Sequence, residues 1–534
     1  MEQPEARGTL LVSESHPSHR GAVAAGHDAV ARVGADVLEA GGNAVDAVVA
    51  MIAAGGVCEG TLTGLGGGGF MIVAGTGVPE PVMLDFFVRQ PGLDRRPWLA
   101  PWESHTLEFD GIVLNYGTGP ASVAVPGMAR GMAHAMRRFG RLGLEAALAP
   151  AVQLARDGVA LTETQAGEHA VNVALIARDP HGAEIWHPAG HTFGLGEVFR
   201  QPHLADALEE VARTDGESPH TGDIARALMS WSDARGGRIG VSDLTKYEVR
   251  EIAPLTFGHD DVRIYANPEP SMGGVATVRL LEAMLEERAS GATSRDVAVG
   301  NALARVLSDI DAPRTRVPEV GEPVSVRHIR DDLEPGGEHG AAQALHDRGV
   351  GGGDAPDFAR SPNTTHVSAI DSDGMIAGAT TTIGYGAGEF IPGTGIQLSN
   401  MLAEYDHTIV RPAGATVPSM MTPTILASPR TLVQIGSAGS DRIPHAIAQI
   451  VERMWSGMPL RVAVDAPRFS YDGRSIHAEP GMDEGALIAL AEHHDVVRWA
   501  ELDPYFGTTN GTAVRNGIAH AAGDPRRQAA GIVV

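Results

Sequence analysis

The sequence predicts a mixed α/β (α+β) fold in which helices cover β-sheets, and three observations carry that prediction. In Ser361-Pro362-Asn363-Thr364-Thr365-His366-Val367-Ser368-Ala369-Ile370-Asp371, a turn-forming start leads into alternating polar and apolar residues, the period of a half-buried strand. Asp371-Ser372-Asp373-Gly374 reads as a tight turn and Met375 to Thr382 as a second β-rich run, so the pair predicts a hairpin. Elsewhere Val30, Val33, Val37 and Leu38 recur at helical spacing, and the strand-like Thr431-Leu432-Val433-Gln434-Ile435 is followed by a helical run from Ile443 to Met454.

Taken in order, the first helix stops at Gly41-Gly42, and Asn43 is the N-cap of a second over Ala44 to Ala54. The glycine-rich run Gly64 to Gly69 enters the strand-like Phe70-Met71-Ile72-Val73-Ala74. A phosphate loop needs a following Gly-Lys-Ser/Thr and a helix N-terminus, and neither is present, so close backbone packing accounts for the run. Asp85-Phe86-Phe87-Val88-Arg89 closes a strand-like segment, and Pro126 to Phe139 and Leu142 to Asp157 read as helices. A mostly helical middle is expected from Leu161 to about Leu307, Gly395 to Leu402 alternates as a strand, and Thr431 to Ile435 is another that ends at Gly436-Ser437-Ala438-Gly439-Ser440. From about 319 to 363 the chain is charged and glycine-rich, a composition that buries little and is expected to be mobile.

A net charge of −25 over 534 residues argues against nucleic acid and anionic membranes, which attract basic surfaces. No run reaches the length of a membrane span. Cys58 is the single cysteine, so no internal disulfide forms; it lies in a small apolar run and reads as a buried structural thiol. Met1 to Gly21 holds no apolar stretch of the secretory type, and the expected location is cytoplasmic. Glu492-His493-His494-Asp495 and the His16/His19 pair lack the spacing that converges ligands on one ion, so no metal and no cofactor is expected.

The chemistry centres on Thr364. A threonine hydroxyl is a weak nucleophile unless a base adjoins it, and the α-amine of an N-terminal threonine is such a base. The reading is that the chain cuts itself between Asn363 and Thr364, making 1–363 a large subunit and 364–534 a small one that together form one catalytic domain. Thr364-Thr365-His366, Ser368, Asp371, Gly374 and Thr380-Thr381-Thr382 resemble the signature of the γ-glutamyltranspeptidase family of N-terminal-nucleophile hydrolases. The resemblance extends to Gly41 to Ala47, Gly64 to Phe70, Pro126-Gly127, Gly393 to Ile396, Met421 to Thr424 and Ala466 to Phe469, nearly the whole chain.

That resemblance implies a four-layer αββα sandwich and maturation from one precursor. It implies that Thr382 hydrogen-bonds the nucleophile and that Gly439-Ser440, where the family has two glycines, offers backbone N–H groups to the oxyanion. His366 shares a strand face with Thr364 and reads as a structural hydrogen-bonder rather than a base.

The family's substrate clamp is where this sequence departs. The arginine that pairs a substrate carboxylate is Phe87 here, and Arg89, two residues on, offers partial rescue. The paired serines become Ser419 and Met420, the asparagine after the threonine run becomes Gly384 (followed by Tyr385), and a glutamine and an aspartate that hold the ammonium become Met401 and Glu404. Several clamp positions thus turn apolar, which predicts a hydrolase of acyl bonds in a small-molecule substrate and a poor γ-glutamyl transferase. Within the family this leaves side-chain amide hydrolysis, as in cephalosporin acylases, or cleavage of a carbon–carbon bond beside a carbonyl, as in antibiotic pathways that make alkylproline units. True γ-glutamyl transfer and an inactive binding homologue remain the other readings.

Overall fold

A computed structural model of the chain describes residues 21–95, 99–100, 103–109, 112–310, 364–403 and 411–534. Asn363, Glu404, His16, His19 and the stretch from about 319 to 363 lie outside the described residues.

Two antiparallel sheets form the centre. Their strands, in chain order, are β1 (Gly21–Ala25), β2 (Gly68–Gly75), β3 (Val82–Asp85), β4 (Arg250–Ile252), β5 (Leu255–His259), β6 (Val262–Ala266), β7 (Thr365–Asp371), β8 (Met375–Thr382), β9 (Thr424–Ser428), β10 (Thr431–Ala438), β11 (Thr508–Arg515), β12 (Ile518–Ala522) and β13 (Ala530–Val533). The first sheet has seven strands in the order β13-β1-β7-β8-β2-β3-β4, and the second has six in the order β12-β11-β10-β9-β6-β5. The helices that cover them are α1 (Asp28–Glu39), α2 (Ala44–Cys58), α3 (Met128–Phe139) and α4 (Leu144–Asp157) on the first sheet, and α5 (Met272–Ala289), α6 (Arg295–Ile310) and α7 (Ile443–Trp455) on the second.

Period-two alternation sorts the first sheet's side chains into two cores. Met71, Val73, Val367, Ala369, Ala377 and Ala379 pack with Val30, Val48, Met132 and Leu148 of the outer helices. Their neighbours Phe70, Ile72, Ile370 and Ile376 point the other way, into a core shared with Val433 and Ile435 of the second sheet and Leu281 and Ile447 of its helices. Two faces and two cores make the four-layer αββα sandwich. Among the described residues no helix is long and apolar enough to cross a membrane.

Most local expectations hold. Asn43 caps α2 with a full capping box, accepting from the Val45 and Asp46 N–H groups. The hairpin turns at Asp371, whose carboxylate accepts from the Asp373 and Met375 N–H groups, and Gly374 takes φ 87°. The Gly64–Gly69 run is a close-packing element: a Cβ on Gly66 or Gly67 would stand 2.0 Å from the Gln397 carbonyl oxygen or 2.1 Å from that of Thr382. Cys58 is buried.

The middle is mostly helical, and β4, β5 and β6 also lie within it and complete an edge of each sheet. One expectation is corrected. Gly395 to Leu402 is not one continuous strand: Ile396–Gln397 pair with Phe390–Ile391, Leu398 makes an isolated bridge to Gly66, and Met401–Ala403 is a 3-10 turn. The Asn400 side chain diverts that segment by bonding Tyr385 N–H and the Gly117 carbonyl, replacing ladder bonds with side-chain bonds.

Candidate active site

Thr364 immediately precedes β7 and is 6% exposed. The β7–β8 ladder pairs Thr365 with Thr381, so the next pair in register is Thr364 and Thr382. Thr382 pairs in turn with Gly68 on β2. Thr364, Thr382 and Gly68 thus form one row across three strands, spaced ~4.8 Å per step. Thr382 Oγ1 also accepts from the Gly384 N–H at 2.8 Å.

The second sheet docks on this row with a readable offset. Gly436 lies against His366, where a Cβ would come 2.2 Å from Nδ1. His366 Nε2 meets Gln434 Oε1 at 3.0 Å and its Nδ1 meets Thr380 Oγ1 at 2.8 Å. The Asn510 side-chain amide donates to the His366 carbonyl, and Ser368 Oγ donates to Thr512 Oγ1. Since Asn510 pairs with Gly436 and Thr512 with Gln434, residues 366 and 368 stand level with 436 and 434. One more step along the same offset brings Ala438, and the turn at Gly439 and Ser440, level with Thr364. Both turn residues have positive φ, 134° at Gly439 and 53° at Ser440, the latter a left-handed conformation uncommon outside glycine.

His366 is buried with both ring nitrogens engaged, and burial pushes its pKa down to about 4 against the opposing Gln434 bond. It is a neutral strut between the sheets, as the sequence reading holds. His494 likewise has a structural partner, Asn301 Oδ1 at 3.1 Å.

Of the expected clamp positions, Phe87 is the one whose place can be followed from this row. A Cβ on Gly68 would touch the Phe86 carbonyl and come 3.0 Å from the Phe87 Cα, so Phe87 follows the Thr364–Thr382–Gly68 row. Phe87 is fully buried and its ring lies 5.4 Å from Phe70. Val417 N–H donates to the Val88 carbonyl at 3.3 Å, which lays the Ser419–Met420 segment alongside. Ser419 Oγ accepts from Met421 N–H at 3.0 Å; Met420 and Met401 are buried. Tyr385 is stacked on Tyr116 with ring centroids 4.4 Å apart.

Arg89 does not act as the expectation of partial rescue requires. Its guanidinium donates to Asp85 Oδ1 at 3.0 Å and to the Phe87 carbonyl at 2.7 Å, and it lies over the Tyr247 ring. Asp85 also binds Arg250. Arg89 is buried as part of the scaffold, because an unpaired Asp85 in that position would be costly.

Sequence reasoning missed a charged group behind Thr364. Arg527 Nη1 donates to the Thr364 carbonyl at 3.0 Å and its Nη2 to Glu168 Oε1 at 2.9 Å. Glu168 Oε2 accepts from Thr61 Oγ1 at 2.8 Å, and Glu59 accepts from Thr365 Oγ1 at 3.0 Å. Burial pushes the Glu59 carboxyl up to about 7, with Arg527 pulling against it and Glu168 adding to the rise. Beside Arg527, Arg526 joins Arg468, Asp524 and Glu479 in a buried cluster. Arg468 Nη1 donates to the Gly507 carbonyl, and Gly507 packs against Gly439, so this cluster braces the turn. The Asp524-Pro525-Arg526-Arg527 run is the one local signal that could have drawn attention to it.

Residues 30–534 match the γ-glutamyltranspeptidase family model. The chain belongs to the γ-glutamyltranspeptidase family. It is a hydrolase of the N-terminal-nucleophile type. Among its relatives is the acylase ACY 1 proenzyme of Pseudomonas sp. (strain V22), 30% identical over 90% of this chain and 88% of the relative. The glutathione hydrolase proenzyme of Escherichia coli (strain K12) is 25% identical over 96% and 91%. Among solved structures, the cephalosporin acylase from Bacillus halodurans superposes with a TM-score of 0.74 at 22% identity, covering 100% of this chain and 99% of that one, and supports the fold.

Proposed function

We propose that this family member matures by cutting the Asn363–Thr364 bond and then acts as an acyl hydrolase on a small, largely apolar acyl group. The carrying observation is the pairing of an intact Thr364–Thr382 row, level with the Gly439 turn, with a clamp that holds Phe87, Met401 and Met420.

In maturation, Thr364 Oγ attacks the Asn363 carbonyl and the scissile C–N bond breaks. Water then hydrolyses the resulting ester, leaving a carboxylate on Asn363 and a free amine on Thr364. In turnover, that amine takes the Oγ proton as Oγ adds to the substrate carbonyl. Backbone N–H groups of Gly439 and Ser440 receive the oxyanion, each worth roughly 3 kcal/mol of barrier. The leaving amine departs with the proton, and water releases the acid. Residues 1–363 and 364–534 are then the two subunits of one catalytic domain. The lone buried Cys58 suits a reducing cytoplasm.

A γ-glutamyl group carries an α-carboxylate and an α-ammonium. Phe87 and Met401 offer neither a partner, and Arg89 is held by Asp85. The same apolar clamp also favours carbon–carbon cleavage beside a carbonyl, in which the identical attack expels a carbon stabilised as an enamine.

The test has two stages. A denaturing gel with N-terminal sequencing should show two fragments, the smaller beginning at Thr364; a single intact band indicates an inactive homologue. Phenylacetyl and γ-glutamyl p-nitroanilides are then compared, the latter with and without a dipeptide acceptor. Preference for the phenylacetyl amide is expected, and strong acceptor-stimulated release from the γ-glutamyl amide would overturn the clamp argument.

A further inference from the structure

We propose that Arg527 is a positioning residue for Thr364, and that the Arg527–Glu168–Glu59 group sets the protonation of the Thr364 amine. The proposal rests on Thr364 being the N-terminal nucleophile.

The contacts flank the chain end that cleavage would create. Arg527 holds the carbonyl of residue 364 and Glu59 holds the hydroxyl of residue 365. Once the bond to residue 363 is broken, these contacts fix the first peptide unit from the helix side of the sheet. Thr364 Oγ lies on the opposite face, the one shared with His366, because side chains alternate along a strand. Arg527 therefore orients the nucleophile without occupying the space a substrate needs. A Cβ on Gly26 would stand 2.5 Å from Glu59 Oε1, so β1 closes tightly over this group. The side chains of Arg527 and Glu59 are almost fully buried.

Electrostatics follow from the same contacts. The α-amine and the carbonyl oxygen of one residue are separated by two backbone carbons. A guanidinium bonded to that oxygen thus sits within about 6 Å of the amine and favours its neutral form. A neutral amine is the form that can take the hydroxyl proton, and an ordinary α-amine is largely protonated below about pH 8. Glu168, bonded to Arg527, acts in the opposite direction, and so does Glu59, bonded to Thr365, above about pH 7 where its carboxyl is charged. Of the other titratable groups near the start of β7 among the described residues, His27, next to Gly26, is held below its ordinary value by burial, and Asp524 is paired with Arg468 and Arg526. His366 is neutral with both nitrogens engaged. In the turn after β10, Asp441 is exposed and Arg442 lies over the Tyr505 ring. Asp85 beyond Gly68 is paired with Arg89 and Arg250.

The experiment uses the full chain as wild type and as Arg527→Met, Arg527→Lys, Glu168→Gln, Glu59→Gln and Thr364→Ala. Processing is timed on denaturing gels, and the pH profile of kcat/KM is measured with phenylacetyl p-nitroanilide. Arg527→Met should slow processing at least tenfold, lower kcat with KM within about twofold, and move the acid limb up by about one pH unit. Arg527→Lys keeps the charge and should return the limb towards the wild-type value. Glu168→Gln and Glu59→Gln should move it down, and they carry the test if Arg527→Met fails to fold. Wild-type processing and an unmoved limb in Arg527→Met, or unmoved limbs in both glutamine variants, overturn the proposal while leaving Thr364 in place. Normal processing of Thr364→Ala would instead remove the reading beneath it.

Discussion

On one side, Thr364, Thr382 and the Gly439 turn are aligned by strand register; on the other, Phe87, Met401, Ser419 and Met420, the proposed clamp, are buried side chains. The first side rests on backbone: which residue stands opposite which is set by ladders that pair many residues at once, and one substitution does not move them. The second side rests on side-chain ends, where replacing an arginine by a phenylalanine changes the chemistry and leaves the sheet alone. Relatives that include both acylases and glutathione hydrolases fit this division. Under the proposed function, the row would supply the attack and the clamp the choice of acyl group.

The largest expected effect breaks the nucleophile side. Thr364→Ala should leave the chain as one band on a denaturing gel and reduce amide turnover to background, a loss of at least 10³-fold. Arg89→Met breaks the scaffold under the clamp side. It strips a buried partner from Asp85 and should cost about 3 kcal/mol, read as a lowered denaturation midpoint, while KM of the folded fraction stays within about twofold. Such a KM would distinguish a scaffold arginine from a carboxylate binder.

The row can also be stressed by pH through His366. Its folded pKa of about 4 lies below the unfolded value of 6.5, so the unfolded chain binds the proton first as pH falls. His366 therefore contributes stability above pH 6.5 that is lost towards pH 4. Its share should be about 2 kcal/mol by pH 5, seen in urea midpoints at pH 7.5 and 5 and absent from the slope of His366→Gln. The smallest effect belongs to Ser419→Ala, which deprives the Met421 N–H of its acceptor. A loss of about 1 kcal/mol with unchanged turnover would sharpen the view that this serine braces a turn and binds no carboxylate.

Much of the nucleophile side was legible because its signals are local. The Asp371-Ser372-Asp373-Gly374 turn sets the register that places Thr382 opposite Thr364, and the Gly66-Gly67 run announces backbone contact. The clamp substitutions were legible by position, but the fate of Arg89 was not, since nothing in its neighbourhood says that Asp85 needs two cations. Strands β4, β5 and β6 went unread inside a segment rich in helical spacing. They are short, and each edge strand owes its form to a neighbouring strand rather than to its own pattern.

By itself the sequence determined the mixed fold class, the hairpin and the identity of the residue at its head, because turn chemistry and period-two alternation act between near neighbours. Only the tertiary structure decided which charges stand behind that residue. Glu59 is 306 positions from Thr365, and Arg527 is 163 from Thr364. Their interactions gain strength only where folding removes water around them, a condition no local stretch of chain can encode.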